Sequence, residues 1–264
     1  MTVLTSALSG AFMRGLLLRR NRKIPVVIEP VASAFPSLRN ADIAAAFAGE
    51  RSAGDFYDSI RVNPSRVLFG LLDVAGRREQ NQGILSAAQI VFREIGTKLL
   101  APPDANEADA MTDLCTALNR TIMDVAGGVH SSPAFAGCYN EDSGILCYFN
   151  SGHTPALVRH RNDISELGAT GLPLGLFLLS TSEARVIALE PGSALALVSR
   201  GVVETECKRQ EFGLGGVESA LKNASLTGAQ QVCRSILDDV QRFACAAPFQ
   251  NDITALALVR SASA

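Results

Sequence analysis

Ala53-Gly54-Asp55-Phe56-Tyr57-Asp58 and Leu68-Phe69-Gly70-Leu71-Leu72-Asp73-Val74-Ala75-Gly76 are the two stretches that decide the fold. Each runs or alternates apolar like a strand, and the turn signal Asn63-Pro64-Ser65 lies between them. A hairpin of this length brings Asp55 and Asp73 to the same end of a sheet, because their offsets from the turn are comparable. Two carboxylates facing each other are costly unless a cation sits between them, so one reading is a divalent-metal site. The other is that each aspartate caps a strand end beside a tight turn.

Outward from this hairpin the pattern stays regular. Strands are expected over 42–49, 55–62 and 66–74. A helix follows over 84–100, where Ile84, Ala87, Ala88, Val91, Ile95 and Leu99 share one face. Ala101-Pro102-Pro103-Asp104 breaks it. A second helix over 106–124 carries Ala110, Leu114, Leu118 and Ile122 at steps of four and ends at Gly127-Gly128. Strands return at 134–139, 145–149, 156–160, 164–167, 184–190 and 194–198. Helices near 214–223 and 227–244 precede a last strand over 253–259. Antiparallel hairpins interrupted by two helix pairs argue an α+β fold, with two sheets face to face in a central antiparallel β-sandwich and helical pairs outside. Residues 1–40 read as an appendage, with a helix near 3–20 and a short extended piece at 26–28, and 41–262 as the main domain.

Composition narrows the partners. Of 264 residues 47% are hydrophobic and 19% charged, and the formal net charge is −2 with Lys and Arg dispersed, which argues against nucleic acid. No apolar run approaches the ~20 residues of a membrane span. Met1 to Leu18 is apolar, but its basic cluster (Arg19, Arg20, Arg22, Lys23) follows the run, the wrong order for a secretory signal. That segment reads as a helix docking on its own protein, with a partner or a membrane face as the other option. The six cysteines (Cys115, Cys138, Cys147, Cys207, Cys233, Cys245) form no Cys-x-x-Cys pair, so neither a disulfide framework nor a zinc site is expected, and the reducing cytoplasm fits.

Taken in order, these segments resemble the metal-dependent protein serine/threonine phosphatases (PPM, type-2C), in particular the bacterial SpoIIE and RsbU branch. Ala53–Asp58 is similar to the family's Gly-Gly-Asp-Phe-Tyr-Asp, and Leu72-Asp73-Val74-Ala75-Gly76 to Gly-Asp-Val-Ser-Gly. Phe149-Asn150-Ser151-Gly152-His153-Thr154-Pro155 resembles Asn-Ala-Gly-His-Pro-Pro, and Gly171-Leu172-Pro173-Leu174-Gly175 its Pro-Leu-Gly turn. Glu190-Pro191-Gly192 to Val203 mirrors the strand leading into Thr-Asp-Gly-Val, and Phe212-Gly213 and Asn251-Asp252-Ile253-Thr254 complete the series. The resemblance covers roughly residues 43–260. It implies a β-sandwich with a helical pair on each side. It also implies two Mg²⁺ or Mn²⁺ ions about 4 Å apart whose bridging water attacks phosphoserine or phosphothreonine.

Carried over by position, the resemblance implies metal ligands at Asp55, at Asp73 with the backbone carbonyl of Val74, at position 200 and at position 251. The last two depart from the family: they are Arg200 and Asn251. Arg77-Arg78-Glu79-Gln80-Asn81-Gln82 likewise replaces small residues with a bulkier, polar lip. A guanidinium has five donors and no acceptor and cannot ligate a metal. At ~4 Å from a dication it is repelled by roughly 8 kcal/mol at an effective dielectric near 20. Either Arg200 lies across the site and pairs with Asp73, Asp55 or both in place of a cation, or it swings outward and leaves one weak Mg²⁺ or Mn²⁺ on Asp55, Asp73 and the Val74 carbonyl. Asp58 and Asp252 are candidates for supporting hydrogen bonds, and Asp252 for compensating Asn251 by a register shift. His153 reads as a turn element. His130 and His160 form no constellation with a cysteine, so nucleophilic catalysis has no support.

Two functions stand at this point. One is a non-catalytic member of the fold that binds a phosphorylated or unphosphorylated regulatory partner, with Arg200 reading phosphate. The other is an active Mg²⁺- or Mn²⁺-dependent phosphatase whose substrates, by resemblance, are phosphorylated STAS-type anti-anti-sigma regulators. A homodimer through residues 1–40 is also open.

Overall fold

The computed structural model describes residues 34–49, 53–180, 182–245 and 251–262. The helix expected near 3–20 and the extended piece at 26–28 lie outside the described residues.

Strand β1 (Ala41–Ala48) is followed by the hairpin β2 (Ala53–Arg61) and β3 (Arg66–Arg77). Helices α1 (Arg78–Leu100) and α2 (Glu107–Ala126) come next. Then come β4 (Ala134–Asn140), β5 (Ile145–Ser151), β6 (Ala156–His160), β7 (Asp163–Leu167), β8 (Arg185–Ala188) and β9 (Ser193–Val198). The one-turn helix α3 (Arg200–Val203) leads into the small hairpin β10 (Glu206–Cys207) and β11 (Gln210–Glu211). Helices α4 (Gly213–Asn223) and α5 (Ala229–Phe243) precede β12 (Ile253–Arg260).

The strands form two five-stranded antiparallel sheets, one ordered β2-β3-β4-β5-β8 and the other β1-β12-β9-β6-β7. β3 shows how period-2 patterning builds the layers. Phe69 and Leu71 point into a core shared by both sheets with Leu195, Leu197, Leu256 and Leu258. Leu68, Leu72 and Val74 point the other way, against Leu85, Phe92 and Leu114 of α1 and α2. The second sheet is covered likewise, Ala255 and Ala257 meeting Val217, Val232 and Ile236 of α4 and α5. The α-β-β-α sandwich expected from the sequence is the observed architecture.

Local chemistry sets the ends of the helices. Asn106 caps α2 by accepting from the backbone N–H groups of Ala108 (3.1 Å) and Asp109 (3.4 Å), and Gly127 closes it at φ 68°, a left-handed conformation. Two expectations need correction. Helix α1 begins at Arg78, six residues before the expected 84, so most of the stretch read as a polar lip is its first turns. A polar first turn escapes a reading based on apolar periodicity. The cysteines were expected to be unpaired, yet Cys207 and Cys245 form a disulfide across 38 residues with Cα atoms 5.8 Å apart. Their proximity arises where the β10–β11 hairpin meets the end of α5, which spacing alone does not reveal.

Candidate functional site

The register of β2 on β3 sets Asp55 directly opposite Asp73. Both share the parity of Tyr57, Phe69 and Leu71, so both look into the space between the sheets. Val74, whose carbonyl the resemblance adds, pairs with Gly54 at the same end of the ladder. Asp73 is buried and Asp55 partly so. The hydroxyl of Thr254 donates to Asp55 Oδ2 at 2.9 Å, and the Ser199 hydroxyl also hydrogen-bonds this carboxyl. Loss of water, and then the neighbouring charge of Asp73, nevertheless push Asp55 up to about 7. Asp252 adds to the rise. A proton or a cation therefore stabilises this pair.

Arg200 opens α3 at the mouth of the same site. Its backbone N–H donates to Asp73 Oδ2 at 3.3 Å. Its guanidinium Nε stands 3.9 Å from that oxygen and 3.6 Å from Glu204 Oε1, one helical turn on, and the side chain is 52% exposed. Both side-chain distances are ion-pair contacts too long for hydrogen bonds. The arginine thus faces Asp73 from the rim without lying flat across the site.

The edge opposite the hairpin comes from two segments. Ser199 and Thr254 lock them together, through Ser199 N–H to the Thr254 carbonyl (2.9 Å) and Thr254 N–H to Ser199 Oγ (3.0 Å). Gly201 backs onto the Asp252 carbonyl so closely that a β-carbon there would stand 2.2 Å from it. Asn251 is exposed, whereas Asp252 is 5% exposed and is the one that acts electrostatically on Asp55. Asp252 shares the parity of Thr254, Leu256 and Leu258, which face the inter-sheet space.

Asp58 sits elsewhere. Three residues along an extended strand from Asp55, it points at the helices, fully buried. There Arg93 Nε (2.6 Å), Arg93 Nη2 (2.9 Å) and Gln89 (3.3 Å) hold it. His153 is buried in its turn, and its backbone N–H bonds Asn150 Oδ1 at 2.8 Å. Its Nδ1 lies 3.0 Å from the Thr154 carbonyl, so Nδ1 carries the proton, and burial lowers its pKa and keeps the ring neutral.

Glu204 lies outside the matched motifs, and Ser199 and Thr254 lie within them without having been given a role at the site. The i,i+4 spacing of Arg200 and Glu204 and the alternation through Thr254, Leu256 and Leu258 were the available signals. Among the described residues no group of three or more His, Cys, Asp or Glu side chains is set out to hold a metal ion. Two facing carboxylates with a guanidinium 3.9 Å from one of them do not furnish a two-cation centre.

Residues 63–261 match the family described as Stage II sporulation protein E (SpoIIE). Protein IcfG of a Synechocystis species is 24% identical over 218 residues, 75% of this chain and 34% of IcfG, so the chain spans about a third of that relative. The structure of the RsbU and RsbW domains of Rv1364c from Mycobacterium tuberculosis superposes with a TM-score of 0.69 at 21% identity, over 87% of this chain and 62% of that one. The PP2C phosphatase domain of SpoIIE from Bacillus subtilis, with a fragment of its regulatory domain, gives 0.70 at 16% identity, over 85% and 64%. At these identities the structural likenesses establish the fold, and the family match runs from β3 to β12, taking in Asp73, Arg200 and Asn251 while beginning after β2 and Asp55. The chain belongs to the SpoIIE family and shares the fold of the RsbU and PP2C phosphatase domains.

Proposed function

We propose that this chain is a SpoIIE-type domain with lost or much reduced catalysis, which binds a phosphorylated regulatory protein in a reducing compartment such as the cytoplasm. Arg200 carries the reading. It stands where the family has its third acidic ligand, half exposed at the rim, with its guanidinium fork hydrogen-bonded to neither Asp73 nor Glu204. Planar donors in that position suit a phosphate group and repel a dication. A STAS-type regulator is the partner class that the family resemblance implies. The RsbU and RsbW domains joined in the mycobacterial relative keep the fold in the company of regulatory domains, which supports this choice.

One observation favours the second reading, an active Mg²⁺- or Mn²⁺-dependent phosphoserine/phosphothreonine phosphatase. Asp55 and Asp73 face each other with Asp252 nearby, and burial and then the Asp73 charge push Asp55 up to about 7, a cost that a single cation on Asp55, Asp73 and the Val74 carbonyl would relieve.

Hydrolysis of an aryl phosphate with Mn²⁺, together with Mn²⁺ calorimetry, separates the two. The natural chain is expected to hydrolyse at background and to lack two-site micromolar Mn²⁺ binding, while the double reversion Arg200→Asp with Asn251→Asp gains both. A natural chain as fast as the revertant overturns the proposal. Binding of a phosphoserine peptide should weaken about tenfold or more in Arg200→Ala, since a charge-assisted contact is worth roughly 1.5–3 kcal/mol.

A further inference from the structure

We propose that Cys207 and Cys245 form a redox-responsive tether that holds together the two segments carrying Arg200 and Asn251. This goes beyond the function proposed above and stands whether or not catalysis survives.

Placement carries the inference. Cys207 follows Arg200 by seven residues, and Cys245 precedes Asn251 by six. The disulfide therefore closes a bracket around the whole α4–α5 unit and ties its two ends just beyond the site. The first of these ends is a short hairpin. β10 and β11 pair only through Glu206–Glu211 and Cys207–Gln210 and form a sheet of their own. The Phe212 N–H bonds the Thr205 carbonyl at 2.8 Å, Thr205 Oγ1 donates to the Gly201 carbonyl at 2.7 Å, and the Phe212 ring meets Phe243 edge-on at 5.4 Å. A displacement of Cys207 is passed through Thr205 to Gly201, which rests on the Asp252 backbone.

Exposure singles out the same pair. Cys245 is exposed and Cys207 half-buried, whereas Cys115, Cys138, Cys147 and Cys233 are buried. Burial pushes Cys147 and Cys233 up to about 12 and Cys138 higher still, which keeps those thiols protonated and unreactive. In a reducing compartment a disulfide of this kind is formed and removed by exchange. With a small disulfide such as oxidised glutathione as oxidant, the Cys245 thiolate attacks one sulfur and expels a glutathione thiolate. The Cys207 thiolate then attacks Cys245 Sγ and expels the second. Two protein thiols lose two electrons and two protons, and one oxidant disulfide becomes two thiols.

The test uses the full chain equilibrated in glutathione buffers from reduced to oxidised. Alkylation after denaturation, read by intact mass and peptide mapping, is expected to show Cys207 and Cys245 lost together from the alkylated pool while the other four react throughout. Hydrogen exchange of 200–212 and 251–254 should rise about tenfold or more on reduction, with 67–74 unchanged. Cys245→Ser should behave as the reduced protein in both buffers. If that variant does not fold, the reduced and oxidised natural chains decide the matter alone. Alkylation of both cysteines in the oxidised buffer overturns the proposal, as does equal exchange of 200–212 in the two states.

Discussion

The β2–β3 hairpin carries two arginine–aspartate contacts that look alike in sequence and differ in every physical respect. Arg93 grips the fully buried Asp58 through two hydrogen bonds of 2.6 and 2.9 Å on the helix side. Arg200 faces Asp73 from the rim, at 3.9 Å and half in water. A bidentate contact to a buried carboxylate fixes α1 against the sheet, because Asp58 has no water to turn to in place of the guanidinium. A rim contact screened by solvent holds little and leaves its donors for something else. One pair belongs to the fold and the other to the site, although the two aspartates sit on the same hairpin with their side chains on opposite faces.

Arg93→Ala should have the largest effect on stability. It takes the paired cation from a fully buried carboxylate, and urea unfolding should show a loss of about 3–5 kcal/mol. A loss below about 1 kcal/mol would mean that the two contacts are equivalent after all.

Asp55 sharpens the site half of the comparison through pH. Its folded value is raised from the usual 3.8 to about 7, so between those values the folded state holds a proton that the unfolded chain has released. Stability therefore falls as pH rises through that window, and the penalty is complete above it. Asp55→Asn should flatten this part of the pH–stability profile and stabilise the protein by roughly 2–4 kcal/mol near pH 8. An unchanged profile by thermal melting would remove the repulsion argument.

Gly201→Ala probes the scaffold under Arg200. The new methyl would stand 2.2 Å from the Asp252 backbone carbonyl, so about 1–3 kcal/mol should be lost in denaturant unfolding as the two segments separate. Arg200→Ala is expected to have the smallest effect on stability, under about 1 kcal/mol, because its partner contacts are long and wet. A loss as large as that of Arg93→Ala would make Arg200 a structural residue and sink its role as a phosphate reader.

The sandwich, its flanking helix pairs and the apposition of Asp55 and Asp73 were legible in the residues alone. All of these follow from period-2 and period-3.6 apolar patterns and from one hairpin, where neighbours in space are neighbours in the chain. So was the lack of a carboxylate at positions 200 and 251. That Asp252 bears on Asp55, and that Thr254 reaches Asp55 across 199 residues, emerges from the packed sheets. The same holds for the turning of Asp58 to Arg93, the stand-off of Arg200 from Asp73 and the Cys207–Cys245 pairing. Each of these is a contact between distant segments whose distance and direction depend on how layers stack, a quantity that no local pattern encodes.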